Sequence, residues 1–181
     1  MKPAARAILN ASAALDAVCI ALAKAALVGM VAVIMLQVVA RYGLRSPPVW
    51  TEELARYLMV WGGLLGATAA FRRAADPAVA RLDENAGNLR ARFAKIVIAA
   101  SVLIFLAPVL YYAFFGPGGD PARSFLMRNY ARTSPGLGLN LVFVAAAIPA
   151  FCLILLVHLA ARLIGGPAGR GANQQQVQDG L

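Results

Sequence analysis

Four apolar blocks of bilayer-crossing length dominate this sequence and leave few folds open to it. Their helices are expected at about 15–40, 52–71, 94–115 and 138–163. A helix needs about 20 apolar residues to cross the hydrocarbon core, where the backbone must satisfy its own hydrogen bonds. The expected fold is therefore an all-α membrane protein with four transmembrane helices in a single domain, residues 1–164. The polar, Gly/Gln-rich stretch 165–181 has nothing to bury and reads as a disordered tail.

Composition supports this. The chain of 181 residues is 61% hydrophobic and only 14% charged, with a mean hydropathy of +0.70. Its net charge of +9 could suggest nucleic acid. The basic residues, however, sit in the connections between apolar blocks, and no basic patch with interleaved aromatics tracks a phosphate backbone. Nucleic-acid binding is not expected.

The distribution of Lys and Arg sets the orientation. With the N-terminus inside, eleven basic residues fall on the cytoplasmic side and six on the other. This predicts both termini in the cytoplasm. Lys2 and Arg6 before an apolar run resemble a secretory signal, but Asp16 and Lys24 interrupt that run and a longer apolar stretch follows. An uncleaved first helix is the better reading, with Lys24 snorkelling to the headgroups. Between the second and third helices, Val79, Leu82, Ala86 and Leu89 recur at helical spacing among charges, predicting an amphipathic interfacial segment. Pro108 and Pro149 should kink the third and fourth helices near their middles.

The start of the second helix concentrates the polar chemistry. Glu52 and Glu53 open the apolar run, Arg56 follows within a turn, and Trp50 and Tyr57 are the aromatics that favour the membrane–water boundary. Charges there are costly against lipid, so they should meet protein, water or headgroups. Arg56 can pair with Glu52 at i,i+4 or Glu53 at i,i+3. The block then serves as a helix start with an internal ion pair, as a contact for another protein or a lipid headgroup, or as transport chemistry. Further along, Gly62, Gly66 and Ala70 recur every fourth residue, with Gly63 and Ala67 on the adjacent row. That register lets another helix approach closely, from this chain or another.

Other chemistry finds little support. Cys19 and Cys152 lie inside apolar segments without CxxC spacing and read as small buried hydrophobes. His158 is the only histidine and reads as an interfacial hydrogen-bonder. Gln37 and Asn140 should hydrogen-bond near the outer helix ends. No metal, haem or other cofactor site, nucleophile–base constellation or phosphate loop is evident, so an enzyme is not expected.

The order of these parts resembles the small permease subunit, the Q or DctQ-like component, of tripartite ATP-independent periplasmic (TRAP) transporters. The resemblance runs to about Ile164. It rests on Arg41-Tyr42 closing the first helix, then Trp50-x-Glu52-Glu53-Leu54-x-Arg56-Tyr57, Trp61, Gly66-Ala67 and Arg72-Arg73. Ser134-Pro135 and Pro149 also fit. The chain departs from the family where a His and, four residues later, an Asp commonly follow the basic pair; Asp76 and Ala80 stand there. The resemblance implies a bacterial inner-membrane scaffold beside a large permease (M) subunit that carries an organic acid and sodium. It also implies a periplasmic substrate-binding (P) protein as partner, with membrane lipids around the subunit. The small membrane subunit of a tripartite tricarboxylate transporter, or a non-transport membrane scaffold, is the alternative.

Overall fold

The computed structural model describes residues 3–72 and 89–164. Within them the chain is helical, with α1 at Pro3–Tyr42, α2 at Val49–Arg72, α3 at Leu89–Phe114, α4 at Phe125–Tyr130, α5 at Val142–Ala145 and α6 at Ala147–Leu163. Four segments are long and apolar enough to cross a membrane: α1, α2, the Ile96–Phe114 part of α3, and α5 with α6 as Val142–Leu163. Most of the amphipathic segment expected between the second and third helices lies outside the described residues, as do Asp76, Ala80 and the tail.

α1 starts at Pro3 rather than near residue 15. Its first turns are rich in alanine, the best helix former, so helical structure continues past the apolar run. At 40 residues, it is about 60 Å long, twice the hydrocarbon thickness of ~30 Å. Lys24 is exposed on its surface, about 26 Å along the axis from Arg41. The two basic residues thus bracket one hydrocarbon thickness.

The fourth span is interrupted at Ala146, three residues before Pro149. Pro149 falls in the first turn of α6 and has no N–H to offer the Ala145 carbonyl four residues back. Pro108 lies inside α3.

Packing is uneven. α1 and α2 form an antiparallel hairpin, and α6 lies against both. Gly62 faces α1 so closely that an added Cβ would stand 3.2 Å from Ala26 Cβ and 3.7 Å from the Ala23 carbonyl oxygen. Small residues therefore form this seam, and close dispersion contact supplies the attraction that lipid-immersed helices cannot draw from water. α3 is attached to the far side of α6 through a cluster of Leu106, Cys152 and Leu155, with Phe71, Val109 and Phe151 against it. Cys19 and Cys152 are buried and free. Large apolar side chains cover the outer surface, among them Val28, Met35 and Val39 on α1 and Ile104 and Phe105 on α3. Such a surface suits lipid or a partner helix and not water.

Candidate functional site

The connections α1–α2 and α3–α5 meet on one face of the bundle, and the W-x-E-E block stands where they meet. Pro47 and Pro48 hold the approach to α2 extended. Thr51, fully buried, donates its hydroxyl to the Pro48 carbonyl at 2.7 Å. That bond holds the first turn, and the step of about 100° between neighbours on a helix sends the two glutamates in different directions.

Glu52 pairs with Arg56 at 2.8 Å, and both side chains are exposed. Glu53 does not pair with Arg56, contrary to one of the two spacings open to it. Its Oε2 accepts from the backbone N–H groups of Gly136 at 2.8 Å and Leu137 at 3.1 Å, and its Oε1 accepts from the Tyr57 hydroxyl at 3.0 Å. A carboxylate taking two backbone N–H donors and a hydroxyl is a charge-assisted hub. It ties α2 to a loop more than eighty residues away in sequence.

The loop is built to be held this way. Ser134 and Leu139 close it through a backbone bond of 2.8 Å, and Leu141 N–H reaches the Arg132 carbonyl at 3.0 Å. Gly138 takes φ +66°, a left-handed conformation that glycine adopts at no steric cost. Gly136 is needed for another reason: a Cβ there would stand 2.7 Å from Glu53 Oε2 and 3.3 Å from Trp50 Cα. Asn140 donates to the Tyr130 carbonyl at 2.7 Å and accepts from Val142 N–H at 2.9 Å, so it links the end of α4 to the start of α5. Trp61 donates its indole N–H to the Phe143 carbonyl at 3.1 Å, giving its one polar atom a partner at membrane depth.

The other predicted residues divide between inside and outside. Trp50 is 36% exposed, and Tyr42, Leu44 and Val49 around the α1–α2 connection are exposed further. Gly62 packs on α1 as described. Gly66 does not: an added Cβ there would meet nothing within 4 Å, and the same holds at Gly63. Ala70 is half-buried. The close-packing row thus serves this chain at Gly62 and leaves open space at Gly63 and Gly66.

A second polar cluster, missed in the sequence, occupies the opposite face. Asp16 Oδ2 accepts from Arg72 at 2.7 Å, with side-chain exposures of 7% and 27%. Ser12 and the Nδ1 of His158 are 2.8 Å apart, and both residues are 2% exposed. Arg162 places its guanidinium 5.4 Å from the centre of the Phe71 ring. These contacts join α1, α2 and α6. Asp16 had shown in the sequence only as an interruption of an apolar run, and Arg72 only as the end of a helix.

The geometry defines a multi-pass helical membrane protein whose ionisable groups hold elements together at the two membrane faces. The family model for tripartite ATP-independent periplasmic transporters, DctQ component, matches residues 30–167. The chain belongs to that family: it is the small permease component of a TRAP transporter, a transporter part and not an enzyme. The comparison with curated proteins gives no match.

Proposed function

We propose that this subunit is a fixed scaffold for the large permease in a sodium-coupled, binding-protein-dependent TRAP transporter for an organic acid of the dicarboxylate kind. On this reading it lies in a bacterial inner membrane with both termini in the cytoplasm, and its loop face is periplasmic and helps dock the substrate-binding protein. The observation that carries the reading is the fate of Glu53. A carboxylate at the membrane boundary could serve transport, but this one is spent on two backbone donors and a tyrosine of its own chain. Such a group stiffens a loop.

The exposed members of the block are then the contact candidates. Glu52 and Arg56 stand on the surface, and Trp50 is partly exposed next in sequence to the exposed Val49. A surface ion pair contributes only about 0–1 kcal/mol to folding, so its removal should spare the chain while weakening a partner contact. Glu53 acts on the loop itself.

The test is co-purification of the large permease with tagged small subunit, together with uptake by the reconstituted three-component system. Arg56→Ala should keep the melting temperature of the isolated chain and lower the yield of complex. Glu53→Ala should lower both. Parental yield and uptake for both variants would reduce the block to a helix start, and sodium-dependent uptake by the isolated chain would overturn the scaffold.

A further inference from the structure

The residues between α3 and α5 also shape a groove that the scaffold reading does not use. It encloses about 420 Å³ between α3, α4 and the first turn of α6. Pro108, Tyr112, Ala113 and Ile148 line its apolar length, and Arg123 and Arg128 stand at its rim. Val109, Gly116, Pro117 and Phe125 complete its lining.

The rim is a fixed piece of chain. Gly116 N–H donates to the Asp120 carbonyl at 2.9 Å, and Arg123 N–H to the same oxygen at 3.1 Å. The fold-back is so tight that a Cβ on Gly116 would come within 2.5 Å of Arg123 Cβ. Ser124 then caps α4 by accepting from Met127 N–H at 3.2 Å. Tyr111, Tyr112 and Phe115 pack together where α3 ends. Aromatics of this kind gather at headgroup depth, which puts both arginines at the level of lipid phosphates.

We propose that this groove binds one anionic phospholipid of the loop-face leaflet, with an acyl chain along Pro108, Ala113 and Ile148 and the phosphate between Arg123 and Arg128. Three features select that occupant. The groove runs from apolar to basic along the membrane normal, as a phospholipid runs from tail to headgroup. Residues 116–138 carry three arginines and one acid, Asp120, which lies 3.5 Å from Arg123. Their net positive charge favours an anionic headgroup, which guanidinium groups can grip through paired donors. Finally, apart from the Tyr112 hydroxyl and the two arginines the lining is apolar, which suits an acyl chain.

The full chain, purified in detergent, is mixed with equimolar phosphatidylglycerol and phosphatidylcholine, and retained lipid is counted by native mass spectrometry. The parent should retain phosphatidylglycerol preferentially, by about fivefold or more per rim arginine, the scale of one basic residue beside an anionic headgroup. The double variant Arg123→Gln, Arg128→Gln changes exposed side chains only and should lose that preference. The control pair Arg41→Gln, Arg45→Gln removes the same charge from the same face and should keep it. No preference in the parent, equal loss in both doubles, or a preference surviving in the rim double would each overturn the proposal. So would a rim double that retains lipid but no longer co-purifies with the large permease, since the groove would then be a protein contact.

Discussion

Adding one methyl group at Gly136 tests whether Glu53 holds the loop. In Gly136→Ala the new carbon would sit 2.7 Å from Glu53 Oε2, 3.2 Å from the Val49 carbonyl oxygen and 3.3 Å from Trp50 Cα, where ordinary contact begins near 3.4 Å. The carboxylate cannot simply withdraw, because the same oxygen accepts from Gly136 and Leu137. The other two atoms are backbone in the first turn of α2. The loop must therefore lift by several tenths of an ångström and lengthen both bonds. Overpacking of this kind costs about 1–3 kcal/mol; the loop can yield, so we expect about 1–2. At about 2–4 °C per kcal/mol for a chain of this size, the melting temperature in detergent should fall by roughly 2–8 °C. Gly63→Ala, where nothing lies within 4 Å, should leave it unchanged or slightly raised. The decisive comparison is a double-mutant cycle: in a Glu53→Ala background, Gly136→Ala should cost less, because its nearest contact is gone. Equal melting of the two glycine variants, or an undiminished cost in that background, would refute the reasoning.

Three further outcomes are expected. Arg72→Gln should destabilise the chain by about 2 kcal/mol, between the 3–5 of a desolvated pair and the 0–1 of an exposed one; the exchange Asp16→Arg with Arg72→Asp should restore part of it, and parental unfolding of Arg72→Gln would dismiss the pair. Gly62→Leu should cost at least 1 kcal/mol by forcing α1 from α2, whereas Gly66→Leu should leave the isolated chain unaffected; equal effects would show that the seam is misassigned. Reporter fusions after Leu89 and Asp179 should report cytoplasm and those after Arg45 and Arg123 periplasm, and a cytoplasmic report at Arg123 would overturn the orientation.

The spans were legible because a bilayer imposes a length and a polarity that hydropathy measures directly. Helix ends were less so. Hydropathy marks where the chain enters hydrocarbon, and alanine propensity carries α1 beyond that point to Pro3. The W-x-E-E block was found from its charges, but the partner of Glu53 was not. Backbone N–H groups carry no mark in a sequence, and Gly136 differs from any other turn glycine only by what faces it. The turn signals of Ser134-Pro135 and Gly138 could have suggested donors exposed near a helix start. Asp16 and Arg72 were within reach of a stronger argument. Two antiparallel spans place the beginning of the first beside the end of the second, and opposite charges there should be tried as a pair. Gly62 and Gly66 share one spacing rule, and only the direction of α1 separates the packed position from the open one.

The two polar clusters gain meaning from their separation. Along α2, Glu53 and Arg72 lie about 28 Å apart, close to one hydrocarbon thickness of ~30 Å. Each cluster therefore works at a membrane boundary, where holding a charge is far cheaper than at the midplane. Between them α1 and α2 are joined by small residues, which resist approach but offer little resistance to rotation about the contact. Any rocking of one helix on the other must open the Asp16–Arg72 pair or drag the start of α2 against the 132–141 loop. α6 is tied into both ends, through His158 to Ser12 and through the Asn140 side chain at the start of its span, and α3 follows because it packs on α6. On the proposed scaffold reading, a subunit that stays fixed while a neighbour moves needs its rigidity at both faces, and these residues would supply it there.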